Sequence, residues 1–151
     1  MKKITWILVA VIIIALIISA RSQNSANQSG AQEPLKIGAL LLLSGDFASY
    51  GENSEKAIKI AVDAYNADPK NVRKVEVIYE DTKADPKQAI SAYEKLKSVN
   101  HVDAIVGPLL QSETAALAPI IAKDGIPVFS VASVPVEQRG QAANPLVIWP
   151  D

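Results

Sequence analysis

The sequence predicts an α/β fold: a parallel sheet of strand order 2-1-3-4-5 with helices on both faces. Three observations predict it. From Leu35 onward, short apolar runs of strand length alternate with stretches of helical periodicity. The strand candidates are nearly continuous in Leu, Ile and Val, as strands covered on both faces are. The resulting order, β-α-β-α-β-α-β, closes by right-handed crossovers that leave the strands parallel and the helices above and below them.

The first strand is expected at Leu35 to Leu43, stopped by Ser44-Gly45. A helix should run from about Asn53 to Ala67, turning Ile58, Ala61, Val62 and Tyr65 inward at i, i+3, i+4 and i+7. Asp68-Pro69 ends it. Val72 to Tyr79 reads as the second strand, with β-branched Val75, Val77 and Ile78. Asp85-Pro86 opens the second helix, Asp as N-cap and Pro at the first helical position, with Ala89, Ile90, Tyr93 and Leu96 buried. Val102 to Val106 is the third strand, closed by Gly107-Pro108. Ser112 is expected to cap a third helix through about Lys123, with Ala116, Leu117, Ile120 and Ile121 inward and a bend at Pro119. Gly125 ends that helix, Ile126 to Val131 is the fourth strand, and Leu146 to Trp149 starts a fifth.

Composition narrows the function. Of the 151 residues, 49% are hydrophobic and 21% charged, enough apolar material for one domain of ordinary size. Residues 1–20 hold two of the 15 basic side chains and none of the 16 acidic ones, so the remainder carries −3. Its Lys and Arg are scattered among acids, which gives no footprint for nucleic acid. There is no cysteine, so disulfides, thiolate chemistry, Cys-based zinc sites and lipid attachment at a cysteine are excluded. The single histidine, His101, cannot build a His-based metal site alone; no metal and no cofactor is expected.

The amino terminus, Met1-Lys2-Lys3 followed by the apolar run Ile4 to Ile18 and then Ser19-Ala20, has the layout of a secretory signal. The alternative is an uncleaved anchor, since the 17 residues Ile4 to Ala20 reach the lower limit of about 17 for a spanning helix. Either one puts the rest of the chain outside the cytoplasm. Arg21 to Pro34, rich in Ser, Asn, Gln and Ala, reads as a flexible leader, and residues 35–151 as the folded part.

In an open α/β sheet, ligands bind beyond the carboxyl ends of the strands, where strand order reverses. With the order 2-1-3-4-5, that crevice lies between the first and third strands. Three loops then face it: Ser44 to Asn53 with Ser49, Tyr50 and two glycines, Gly107 to Ser112 with Gln111, and Val131 to Pro135 with Ser133. Hydroxyls, helix amino termini and one aromatic suit a small polar ligand such as a carboxylate. Capping alone accounts for Asp85 and Ser112. Taken singly, Tyr50, Gln111 and Ser133 are equally well turn residues; their convergence on one rim favours binding.

Enzyme readings find less support. Gly-x-Gly-x-x-Gly, Gly-x-x-x-x-Gly-Lys and Gly-x-Ser-x-Gly are all absent, and one histidine leaves little for a Ser-His-Asp relay. Glu80 and Asp81 are adjacent carboxylates, but sequence neighbours normally point apart, and Asp81 reads as a turn residue.

Four segments carry a more specific signal: L-L-S-G-D-F-A-S-Y-G (Leu42 to Gly51), E-D-T-K-A-D-P-K-Q-A (Glu80 to Ala89), V-G-P-L-L-Q-S-E-T-A-A-L-A-P-I (Val106 to Ile120) and G-I-P-V-F-S-V-A-S (Gly125 to Ser133). In order and spacing they resemble the leucine/isoleucine/valine-binding protein family, the amino-acid receptors of ABC importers with the type I periplasmic-binding fold. The resemblance implies a binder and not an enzyme, with two lobes that close on a ligand by hinge motion and then dock on a membrane permease. It further implies that Tyr50 lines the pocket, Leu109 gives apolar contact, Val131 offers its carbonyl to an ammonium, and Ser133 offers hydroxyl and N–H to a carboxylate. Gln111, followed by Ser112, stands where the family usually has a ligand-binding Ser, a departure that would narrow the pocket or shift its specificity. The family's chain also continues through a second lobe, so residues 35–151 read as an incomplete first lobe with weak affinity of its own.

Solute capture for an ABC importer, of an amino acid or a related compound, is therefore the leading expectation. A sensory ectodomain of the same fold, tethered by its first segment, is the second. An exported α/β enzyme is the third, and it requires catalytic groups that these loops lack.

Overall fold

A computed structural model describes residues 32–132 and the backbone of Val147–Ile148. The expected export segment, nearly all of the leader, Ser133 and Trp149 lie outside the described residues. The chain divides into Met1–Gln32 and Glu33–Asp151, and every element below belongs to the second unit. Its order is β1 (Leu35–Leu41), α1 (Ala48–Ala67), β2 (Val75–Asp81), α2 (Pro86–Ser98), β3 (Ala104–Val106), α3 (Gln111–Asp124), β4 (Val128–Phe129) and β5 (Val147–Ile148). The strands form one parallel sheet in the order β2-β1-β3-β4-β5, as the βα alternation predicts. Among the described residues no helix is long and apolar enough to cross a membrane.

Register sorts the side chains into two faces. Ile78, Gly38, Ile105 and Val128 pair across β2-β1-β3-β4 and look towards α2 and α3. There they join Leu40, Ala89, Ala92, Tyr93, Leu96, Val102, Leu117 and Ile121 in one core cluster. Full burial of each Leu or Ile there contributes roughly 1.5–3 kcal/mol. Gly38 lets α2 sit close, because a Cβ there would come within 2.7 Å of Leu96 Cδ1. Burial, with Asp124 nearby, pushes the Tyr93 phenol up to about 12. Ion pairs from Lys97 to Asp124 (2.7 Å) and from Lys95 to Glu80 (2.6 Å) hold the surface of this side together. The alternate row, Tyr79, Ala39, Val106 and Phe129, belongs to the other face, where α1 packs on β1 and β2. Phe129 of that row is 54% exposed.

Several element ends differ from expectation, each for a tertiary reason. α1 starts at Ala48, five residues before Asn53, so Tyr50 and Gly51 are helical rather than in a loop. Gly45 (φ 76°) turns the chain, and its carbonyl accepts from the Ala48 amide at 3.1 Å. Gly51 is the one buried residue of α1, because its missing side chain lets the helix sit on Leu42, whose carbonyl oxygen would lie 1.9 Å from a Cβ. That contact rotates the helix. Ile58 and Val62 are half-buried as expected, but Ala61 is exposed and Tyr65 is 43% exposed, so neither belongs to the inward stripe. β2 starts at Val75 because the Asn66 side chain grips that residue, Nδ2 donating to its carbonyl and Oδ1 accepting from its amide, both at 2.8 Å.

α2 begins as expected: Asp85 Oδ1 accepts from the amides of Lys87 and Gln88, both at 2.9 Å, with Pro86 at the first helical position. Ser112 does not cap α3. The N-cap is Leu110, and Ser112 is the second helical residue, exposed, with no cap bond. The reason is that Leu110 leaves the loop in extended geometry (φ −112°, ψ 144°) and its carbonyl takes the Thr114 amide, so the helix has already begun at Gln111. Leu117 and Ile121 are buried and Ala116 and Ile120 half-buried, as the periodicity requires. Pro119 lies inside a helix that runs unbroken to Asp124, and Gly125 ends it in the left-handed conformation (φ 74°).

Candidate functional site at the carboxyl ends of the strands

Because the sheet is parallel, the segments after β1, β3 and β4 leave it at the same end, and the order reverses between β1 and β3. The floor between them is backbone against backbone. Gly107 (φ 93°) follows β3 so close to β1 that a Cβ would lie 2.3 Å from the Leu40 carbonyl oxygen. Its amide donates to the Phe129 carbonyl at 2.7 Å, fastening the same turn to β4. The next peptide bond, Gly107–Pro108, is cis.

The β3 and β4 segments are joined further by two buried hydroxyls. Ser130 Oγ lies 3.1 Å from Thr114 Oγ1, donates to the Pro108 carbonyl at 3.3 Å and accepts from the Ala132 amide at 3.2 Å. Thr114 Oγ1 also donates to the Leu110 carbonyl at 2.9 Å. Leu109, Gln111, Ser112 and Val131 are therefore held on one side of the crevice, Leu109 half-buried and the others exposed, Val131 at 56%. Tyr50, 67% exposed, stands in the first turn of α1 with Phe47 beside it, their ring centroids 6.4 Å apart and tilted by 48°. Ser133 lies outside the described residues.

The helix starts at this rim differ in how their amides are used. α2 is closed by Asp85. Neither α1 nor α3 has a side-chain cap bond. In α1 the Ala48 and Tyr50 amides find the Gly45 and Phe47 carbonyls. In α3, among the described residues, no carbonyl or side chain accepts from the amides of Gln111, Ser112 or Glu113. These donors, at the positive end of the helix dipole, can take a carboxylate.

Sequence reasoning missed two acids here. Asp81 is a turn residue, as expected, since its Oδ1 accepts from the Lys83 amide at 2.9 Å, but it also ties the β1 loop to β2. It accepts from the Leu43 amide at 2.9 Å and from Ser44 Oγ at 2.5 Å. Burial alone would raise its carboxyl, yet the hydrogen bonds from Ser44, Lys83 and Leu43 outweigh that and hold it below the usual aspartate range. Glu113 is fully buried in the first turn of α3, with no hydrogen-bond partner on either carboxylate oxygen among the described residues. Burial pushes its carboxyl up, and Asp85 and Asp81 add to that. The Thr82 hydroxyl and Leu110 amide pull the other way without completing a hydrogen bond. A signal was present: Glu113 shares a helix face, at i, i+4 and i+8, with Leu117 and Ile121. Thr114, one residue on, is also buried and had no local signature.

Fold and rim together define a lobe of the type I periplasmic-binding architecture. The chain belongs to the periplasmic binding protein family: the family described as "Periplasmic binding protein" matches residues 34–149. Among curated relatives, it is 31% identical over 119 residues to "Leu/Ile/Val-binding protein homolog 8" of Brucella suis, covering 78% of this chain and 29% of that protein. Among solved structures, it superposes on an ABC transporter substrate-binding protein from Sphaerobacter thermophilus with a TM-score of 0.68 at 28% identity, covering 77% of this chain and 32% of the other. A similar match (TM-score 0.67, 29% identity, 77% and 33% covered) is the branched-chain amino acid transporter substrate binding protein LivJ from Streptococcus pneumoniae in complex with isoleucine. The chain spans less than a third of the length of the curated relatives it matches.

Proposed function

We propose that residues 35–151 are an incomplete amino-terminal lobe of an extracytoplasmic solute-binding component of an ABC importer, taking an amino acid or a related small carboxylate. The observation that carries this reading is the uncapped start of α3, whose first amides have no acceptor among the described residues and lie at the rim where the strand order reverses. A ligand carboxylate would lie against the amides of Gln111 and Ser112 and the Ser133 hydroxyl. The Val131 carbonyl would accept from the ligand's ammonium, while Tyr50 and Leu109 would form the apolar wall. Gln111 brings a longer side chain to the rim than a Ser would, so its amide donates to the carboxylate and shortens the space beyond it. The LivJ relative, solved with isoleucine, supports the ligand class.

Residues 1–20 would export or tether the chain, and 21–34 would space the lobe from the membrane. Closure against a second lobe would then present the loaded face to the ABC permease. The role is capture and delivery, without chemical conversion of the solute.

The test is calorimetry of the complete gene product against the twenty L-amino acids and a set of small carboxylates. Binding of at least one of them is expected, with a Ser133→Ala variant weakened about tenfold, the cost of one hydrogen bond to a charged group. No binding to any member overturns the ligand class. A Ser133→Ala variant that binds as tightly as the parent overturns the site.

A further inference from the structure

The two hydroxyls behind the rim have a geometry that suits a task other than filling the core. Thr114 and Ser130 are 0% and 1% exposed, so neither can touch a ligand. Yet their bonds end on the backbone that carries the site. Through Pro108 and Leu110 they hold the carbonyls flanking Leu109, and through Ala132 they hold the amide just after Val131. The pair itself spans α3 and the end of β4, 16 residues apart in sequence. The sheet contact between these segments is short, two residues of β4 against three of β3, with the Gly107 amide on the Phe129 carbonyl at its end, so the hydroxyl pair extends the tie beyond the ladder.

We infer that Thr114 and Ser130 are positioning residues of the solute site, a buried hydroxyl clasp that sets the spacing between the loop after β3 and the loop after β4. The inference rests on the functional reading above. Two hydroxyl protons serve three contacts and so alternate: Thr114 donates either to the Leu110 carbonyl or to Ser130 Oγ, Ser130 either to the Pro108 carbonyl or to Thr114 Oγ1, while the Ala132 N–H donates to Ser130 Oγ throughout. Removing one hydroxyl leaves buried carbonyl or amide groups short of a partner, and the loops relieve this by moving apart towards water. The Val131 carbonyl and the α3 amides then no longer face one ligand at the distances both require. Only a residue that bonds both segments while keeping the shape of Thr114 or Ser130 can replace them.

The experiment uses the complete gene product with Thr114→Val, Ser130→Ala and Thr114→Ser. Affinity is measured for L-isoleucine and for the other L-amino acids, well below each variant's unfolding midpoint, and amide hydrogen exchange is followed in the ligand-free protein. Thr114→Val and Ser130→Ala should each lose at least tenfold in affinity and gain at least tenfold in exchange at Ala132, while Thr114→Ser keeps both near the parent's values. Should Thr114→Val fail to fold, Ser130→Ala carries the test, because it deletes a single oxygen. If the parent binds and both variants bind as tightly, with only their unfolding midpoints lowered, the clasp is merely structural and the inference falls while the functional reading stands. If the parent binds no amino acid, the functional reading falls and takes the inference with it.

Discussion

Two helix starts on the same rim are finished in opposite ways. α2 closes itself: Asp85 takes two of its first amides, and the turn before it bends through Lys83 and Ala84 at positive φ (54° and 57°). α3 stays open: Leu110 offers no side-chain acceptor, and the turn before it bends at Gly107 with its backbone pressed on Leu40. A side-chain cap is worth about 1 kcal/mol, which α3 forgoes. The comparison teaches that the same extended entry geometry closes one helix start with a side-chain cap and leaves the first amides of its neighbour without an acceptor among the described residues. Local stability is given up where the topology brings loops together.

Three changes would break or sharpen this contrast. The largest effect should come from Gly107→Ala, which combines strained φ with a Cβ driven into the Leu40 carbonyl. It should cost about 3 kcal/mol in urea unfolding. A loss under about 1 kcal/mol would mean that the β1–β3 floor is slack. Lys83, at φ 54°, lies within the left-handed α region that L residues enter at a cost, whereas Gly107, at φ 93°, lies beyond it.

Next comes an exchange of the caps. Leu110→Asp should close α3, stabilising it by up to about 1 kcal/mol while weakening ligand binding about tenfold, as the new carboxylate competes for the amides. Asp85→Ala should cost about 1 kcal/mol of stability and leave affinity unchanged. Calorimetry and thermal unfolding on the same samples separate the two, and equal effects of both variants on affinity would erase the distinction between the helix starts.

The smallest effect is in pH. Glu113 lies between the two helix starts, and its folded carboxyl is raised above the ordinary glutamate value. Its contribution is therefore fully present below the unfolded value and is lost as pH rises through the folded one. Asp81 works with the opposite sign: lowered in the fold, it contributes above the unfolded aspartate value and is lost as pH falls through its folded one. Glu113→Gln should remove the loss on the rising side and leave the acid side, set by Asp81, as it was. Parallel stability curves for parent and variant above the ordinary glutamate range would show that Glu113 does not titrate as its burial demands.

How much of this was legible depends on the range of each interaction. The βα alternation, the Asp85-Pro86 start and the Gly125 stop were read correctly, because each is decided within a few residues by propensity, capping or backbone sterics. Gly45 and Gly51 look alike in sequence, both loop-like. One bends the chain at positive φ, and the other is helical and admits Leu42. The inward stripe of α1 was misjudged for the same reason, since Ile58 and Val62 fit two neighbouring stripes and only the seat of Gly51 on Leu42 chooses between them. At the candidate site, Tyr50 and Gln111 were expected in loops and Ser112 as a cap, but all three lie in the first turns of helices that start earlier than local pattern suggests; Asp81 was legible only as a turn residue, and the buried pair of Thr114 and Ser130 not at all.

The sequence by itself determined which segments are strand and which helix, their order, and the parallel sheet that helical crossovers between strands require, because near-neighbour preferences and hydrophobic period act before any long-range contact forms. Only the tertiary structure decided that Glu113 is buried, that Asp81 reaches back to Leu43 and Ser44, and that two hydroxyls 16 residues apart meet under the rim. Those pairings depend on which strand lies beside which and how closely each helix approaches the sheet, distances that no local pattern encodes.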